Sequence, residues 1–274
     1  MTTSKRRSQK SRALLRSSPR KRGPSAAKAG ARAHPNAALD SRLRGNDRLE
    51  PATLYRLIAW LSPAYPIGAF SYSSGLEWAV EAGDIKNAET LQRWLAVMLG
   101  EGSGFCDAVF FVHAHRASAT KDAAALRAGA ELAAAFVPSK ERLLETTAQG
   151  RAFVDATRAA WPCAALDDLE AVWQGPVALP IAVGVACAGH AIPCEPALQA
   201  FLQALTANWI SAGVRLIPLG QTDGQRVLAA LEAEVAAAAQ HALATPLDEV
   251  GSCAFRADIA SMRHETQYTR LFRT

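Results

Sequence analysis

From residue 54 onward, apolar side chains recur three and four positions apart in run after run, and no series of period-two strands alternates with them. DAAALRAGAELAAAF (residues 122–136) and QRVLAALEAEVAAAAQHAL (225–243) consist largely of strong helix formers. LLETTAQGRAFVDATRAAW (143–161) keeps the same period, and the run 197–220 carries Phe201, Leu202, Leu205, Trp209 and Ile210 along its length. LYRLIAWL (54–61) is stopped by Ser62-Pro63, and Asn87 is placed to cap a helix striped with Leu91, Trp94, Leu95 and Met98. Such a chain is expected to be all-α: a single-domain helical bundle of about eight to ten helices over residues 51–274. At 50% hydrophobic residues it can bury a sizeable core.

Residues 1–50 are of another kind. They hold 14 Lys or Arg against three acidic residues, whereas the remainder holds 16 basic against 22 acidic, so the net charge of +5 belongs to the arm and the body is mildly acidic. The arm is dense in Ser, Pro, Gly and Arg without a sustained apolar period, and is expected to be a disordered basic extension. A solvated tail is the plain reading; an overextended gene start, or an arm touching nucleic acid or an anionic membrane, are the alternatives. In the body, the apolar stretch 176–193 is broken by proline and glycine and reads as a buried helix rather than a membrane span. Five cysteines without a CxxC pair read as small buried thiols in a reducing compartment.

The chain contains little that looks like chemistry. His113 and His115 point about 200° apart on a helix and do not share a face for one metal. HETQY, starting at His264, lacks the second histidine of HExxH, since Tyr268 stands there. His190 lies between Cys187 and Cys194 at spacings of three and four, which fits a helix end as well as a ligand set. PLGQTDGQ (218–225) is not a phosphate loop; it reads as a turn with Thr222 or Asp223 capping the next helix. There is no GxSxG elbow and no locally marked Cys and His pair. Catalytic, metal and cofactor residues are therefore expected to be none.

Two stretches stand out instead. SPAYPIGAFSYSSGLEWAVE (62–81) has Pro63 and Pro66 fixing an extended entry, Gly68 permitting a tight turn, and Ser71 or Ser73 placed to cap a helix near Gly75. Phe70 is expected in the core, with display to another protein as the alternative. The ending MRHETQYTRLFRT (262–274) carries Tyr268, Leu271 and Phe272 among arginines, unlike a frayed terminus. Either it docks on its own domain or it meets a partner, since Arg and Tyr are favoured at interface hot spots.

These runs, with SAGVRLIPLGQTDGQRVLAAL (211–231), resemble the UreF family of urease accessory proteins in order and spacing, over residues 52–274. The resemblance implies a non-enzymatic, all-α, homodimeric and cytoplasmic maturation factor that binds UreD (also called UreH), recruits and regulates the GTPase UreG, and supports nickel insertion into apo-urease. Nickel, GTP and magnesium would belong to its partners; no nucleic acid and no membrane are implied. It also implies that the segment 262–274 becomes ordered against UreD, which would cover its aromatic and apolar side chains. Arg263, His264, Glu265, Thr266, Gln267, Tyr268, Thr269 and Arg270 match the family's tail. Pro66, Gly68, Phe70, Ser71, Tyr72, Gly75 and Glu77 match its first motif, and Arg215, Pro218, Gly220, Gln221 and Gly224 its second, as partner-binding or fold-shaping positions. Tyr65 departs from the smaller residue common there, and the basic extension lies outside the pattern. Two other functions compete: a nickel metallochaperone using His113, His115, His190 and Cys194, and a basic-tail nucleic-acid adaptor.

Overall fold

Local signals start the helices where the residue types predict. Asn87 accepts the Thr90 amide at 3.0 Å while the Thr90 hydroxyl accepts the Asn87 amide at 3.0 Å, a reciprocal capping box. Asp122 and Ser139 cap two later helices with a single bond each, accepting the amides of Ala125 and Arg142. The computed structural model describes residues 49–274, and in it these signals produce α1 (Pro51–Trp60), α2 (Leu76–Glu81), α3 (Ala88–Glu101), α4 (Ser103–Ala119), α5 (Ala123–Ala135) and α6 (Lys140–Ala160). The chain continues through α7 (Ala164–Val172), α8 (Leu179–Gly189), α9 (Cys194–Leu216), α10 (Gln221–Ala230), α11 (Glu232–Ala244) and α12 (Phe255–His264). Short 3₁₀ turns lie at Ala69–Ser71 and Leu247–Glu249, and no strand forms among the described residues.

The fold is all-α, as the periodicity predicts. Among the described residues the eight to ten expected helices become twelve because α3 and α4 part only at Gly102, and α10 and α11 only at Leu231, where the axis bends by 44°. Counted as continuous runs, these two pairs return the number to ten. Of the basic extension, all but its last two residues lies outside the described residues.

Helix α4 runs through the centre, packed on α3, α5, α8, α9 and α11. It is apolar on all sides, and Phe105, Val109, Phe110, Phe111 and Val112 are all buried. The stretch Ala88–Ala119 is long and apolar enough to cross a membrane, but two-thirds (67%) of its apolar window is buried inside the body, as befits a core helix. Helix α8 is the buried helix predicted within residues 176–193; every residue from Pro180 to Cys187 is covered. It approaches α4 so closely that a Cβ on Gly184 would lie 2.6 Å from the Phe111 carbonyl oxygen. Tyr65, the departure noted above, packs its ring 5.5 Å from Phe153 and shares a 2.8 Å hydrogen bond with the Thr157 hydroxyl, so it fastens its loop to α6.

The expectation of buried thiols holds for Cys106 and Cys187, whose pKa values burial pushes up, that of Cys106 to about 12. It is corrected for Cys253, which is exposed because it lies in the loop before α12 rather than on a packed helix face. Replacing Gly184 by Ala is expected to cost about 2 kcal/mol through overpacking and to lower the thermal midpoint by about 4–8 °C in a domain of this size. Circular dichroism melting of the variant checks this, and an unchanged midpoint would show that α4 and α8 can separate freely.

Candidate functional site

Helix α6 turns its polar stripe inward. Glu141, Arg142, Glu145, Thr146 and Gln149 are buried, on the same face as Gly150, Phe153, Val154 and Thr157, whereas Leu144 is 48% exposed. Phe153 and Val154 enter the core, and the helical period then carries the preceding polar side chains to the same side. Arg142 reaches Asp107 on α4 at 2.5 Å and Glu145 at 3.5 Å. Burial opposes the Arg142 charge, but the carboxylates of Asp107 and Glu145 outweigh that effect and raise its pKa. Burial also pushes the Asp107 carboxyl up, to about 6, against the pull of Arg142.

The remaining carboxylates of this interior receive the carboxyl-terminal segment. His264, fully buried at the end of α12, sets Nδ1 2.6 Å from Glu141 Oε2 and Nε2 3.1 Å from Glu77 Oε2. Both ring nitrogens thus lie within hydrogen-bond distance of a carboxylate oxygen. Glu77 also accepts the backbone amides of Leu271 at 2.5 Å and Phe272 at 2.9 Å, and Arg270 donates to Glu141 at 2.6 Å. At the end of the segment, Arg273 donates its amide to the Ser71 carbonyl, and Ser73 donates both its amide (2.8 Å) and its hydroxyl (2.5 Å) to the main-chain oxygen of Thr274. The Thr274 hydroxyl bonds Glu145, whose other oxygen accepts from Ser74, and Ser74 accepts the indole N–H of buried Trp209. Arg215 closes the ring: it donates to the Phe70 carbonyl at 2.8 Å and lies 4.3 Å above the Phe272 ring.

The structure thus brings Ser71, Glu77, Arg215, His264 and Arg270 into one assembly with the segment 270–274. Glu265 joins it by accepting the Lys140 amide at 2.9 Å, and Tyr72 is buried beneath Arg273. Gly68 and Gly75 shape the entry at φ of 71° and 81°; a Cβ on Gly75 would meet the Ser261 amide nitrogen at 2.7 Å, so that glycine is what lets α2 and α12 touch. Gly224 lets α10 pack on Ile210 and Val214 of α9. Pro66, Gln221, Arg263 and Tyr268 face outward and stand apart from the network.

Two expectations are corrected, for Phe70 and for the cap at residues 222–223, and of the two serines offered as a cap one is selected. Phe70 is 66% exposed, because the 3₁₀ turn uses its carbonyl, not its ring, to engage Arg215. Ser73 rather than Ser71 reaches the start of α2, and its hydroxyl donates mainly to Thr274. Helix α10 begins at Gln221, so Asp223 lies inside it and reaches back to the Gly220 amide. The segment docks on its own domain, as one of the two readings expected, and leaves part of its surface exposed. Phe272 is buried on the chain's own body, while Tyr268 and Leu271 are exposed. Helix α12 also leaves Phe255, Ile259 and Met262 exposed, spaced four and three residues apart on one face.

Sequence reasoning missed Glu141, Arg142, Glu145 and Asp107, since charges at helical spacing normally mark a solvated face. The available signal was their register with Phe153 and Val154 on α6. The histidines considered as ligands are scattered: His113 bonds the Thr245 carbonyl, His115 that of Ile192 and His190 that of Trp161. No group of three or more His, Cys, Asp and Glu able to hold a metal ion is present among the described residues. The polar interior is a clamp of carboxylates held by arginine, hydroxyl and amide donors. Glu77→Ala removes the acceptor of two amides and one face of His264, so the amides of Leu271 and Phe272 are expected to exchange about tenfold to a hundredfold faster. Hydrogen exchange of the full chain measures this, and unchanged protection would show that the clamp does not hold the segment.

The sequence model of the family described as UreF matches residues 85–232. The chain is 65% identical over 226 residues to the urease accessory protein UreF of Bradyrhizobium sp. strain ORS 278, covering 82% of this chain and 93% of that one. It is 62% identical over 225 residues to the UreF of Bradyrhizobium diazoefficiens, with the same shares, and 60% identical over 225 residues to that of Rhodopseudomonas palustris strain BisB5, again covering 82% and 93%.

Proposed function

We propose that this chain, which belongs to the UreF family of non-enzymatic urease maturation factors, works as a docking adaptor whose α12 and carboxyl-terminal segment form the surface for UreD. The observation that carries this reading is the division of the segment into two sides. One side is tied down by Glu77, Glu141, Ser73 and Arg215, while Tyr268 and Leu271 are exposed, as are Phe255, Ile259 and Met262 on α12. An apolar stripe held on a rigid support loses little entropy on binding, and exposed aromatic anchors supply most of the affinity of a typical interface. UreD closing over the outward side would complete the ordering of the segment. Arg270 contributes through its bond to Glu141, as a positioning residue, whereas Tyr268 contributes by contact.

From this surface the adaptor function follows as the family implies. A homodimer of this chain bound to UreD recruits UreG and engages apo-urease in the cytoplasm. GTP, magnesium and the delivered nickel are handled by those partners, and this chain regulates the GTPase by placement. An adaptor of this kind requires surfaces and a firm frame, which a buried ionic clamp supplies.

Co-expression of the full chain with UreD and UreG, followed by size-exclusion chromatography with light scattering, tests the assignment. Tyr268→Ala is expected to weaken UreD binding about tenfold or more, and Ile259→Asp to abolish it by placing a charge in the apolar stripe, with the helical content of both variants unchanged. Complexes of wild-type mass and affinity from both variants would overturn the proposed surface.

A further inference from the structure

An open groove of about 520 Å³ runs between α2 and α12, lined by Trp78 and Glu81 of α2 and by Arg256, Ile259 and Arg263 of α12. The three α12 residues recur three and four positions apart and so line one side of that helix, over a rise of about 10 Å along its axis. Trp78 and Glu81 are three apart on α2 and share a side in the same way. The two helices are fixed to each other, because Gly75 lies against the Ser261 backbone and Glu77 meets the His264 ring. The groove therefore has firm walls.

Its charges differ in how they are engaged. Arg256 is paired: its Nε and Nη2 each lie 2.8 Å from Asp84 Oδ2, and its guanidinium stands 5.1 Å from the centre of the Trp78 ring. Asp84 balances that charge and Trp78 supports its flat face. Glu81 and Arg263 are both exposed, and neither side chain makes a hydrogen bond or an ion pair with a described residue, although they line the same groove. An acidic charge thus stands on the α2 wall and a basic one on the α12 wall, alongside the apolar surface of Trp78 and Ile259.

A protein surface that covers this groove has to meet both charges. A purely acidic segment would pair with Arg263 and be repelled by Glu81, and a purely basic one the reverse. An uncharged segment would desolvate both without replacing their water. A segment with one carboxylate, one cation and an apolar side chain satisfies each group. We propose that the groove receives such a mixed-charge segment of UreD, its carboxylate against Arg263 and its cation against Glu81; this rests on the reading of α12 as the UreD surface. The apolar contacts of Phe255, Ile259 and Met262 hold a partner without orienting it, whereas two opposite charges on facing walls admit only one direction of approach.

The test follows association of the full chain with immobilised UreD by surface plasmon resonance at low and high ionic strength. Glu81→Lys and Arg263→Glu are each expected to slow association about tenfold at low ionic strength, with the difference narrowing in high salt. Arg151→Glu, which changes the net charge as Arg263→Glu does but on α6 and outside the groove, should associate as wild type. The double variant Glu81→Lys/Arg263→Glu keeps the net charge and reverses the groove, so it should be at least as slow as either single variant. Wild-type association of the double variant would overturn the proposal, since the two charges would then act through net charge or on each other. Ile259→Asp separates the two levels. If it abolishes the complex while the charge variants bind as wild type, the UreD surface stands and the mixed-charge segment falls; if it too binds as wild type, the surface itself falls. Charge variants that alter only the mass of the chain alone in light scattering would assign the groove to a second copy of this chain and overturn its assignment to UreD.

Discussion

Glu77 is a buried carboxylate that accepts two backbone amides and one ring nitrogen, and the carboxyl-terminal third of the structure is arranged around it. Burying a carboxylate costs several kcal/mol unless charge and hydrogen bonds replace the water it loses. Glu77 meets that condition only when α12 has packed against α2, so that His264 arrives between Glu77 and Glu141, and when residues 271–272 have folded back. The clamp therefore acts as a condition on geometry more than as a source of stability. Without the docked segment, Glu77, Glu141 and Glu145 would stand as a patch of negative charge with Arg142 as their buried counterion. With it, Arg270 pairs with Glu141, and the His264 ring sits between Glu77 and Glu141.

This arrangement reverses the usual allocation of side chains. Charged residues of α6 face the interior while Leu144 of the same helix faces water, and α12 keeps His264 inside while Phe255, Ile259 and Met262 lie outside. A protein that stabilises itself alone has no reason for the second half of that pattern, because exposed apolar stripes promote association. Under the adaptor reading proposed above it does, since an adaptor must offer a partner apolar surface and yet hold that surface in one position. Polar contacts facing inward supply the holding without consuming the apolar side chains on the outward face.

The helical architecture was legible in the sequence because it rests on short-range facts. The alanine-rich runs, Asn87 as a cap and the Pro-broken edges of the stretch 176–193 each act over one or two turns, and each appears as expected. The three motifs that marked the family were legible too, although not for what they do. Ser71, Glu77, Arg215, His264 and Arg270 lie far apart in the chain, and nothing in their spacing tells that Arg215 stacks on Phe272 or that Glu77 accepts the Leu271 amide. Phe70 illustrates the opposite error: a large aromatic reads as core, yet its backbone carbonyl is what the fold uses.

By itself the sequence determined that this chain folds as helices and approximately where they begin, since propensity, capping and periodicity operate between neighbours along the chain; that three of its runs belong together came from their resemblance to a family. Only the tertiary structure decided which face of α6 and of α12 points inward. That choice depends on whether a buried charge finds its counterpart, and the counterparts of Glu77 and Glu145, at His264 and Thr274, come from the far end of the chain, 187 and 129 residues away. A carboxylate on a helix is a solvated group or a structural centre according to what is brought against it, and the packing of α2, α6 and α12 brings the charges together.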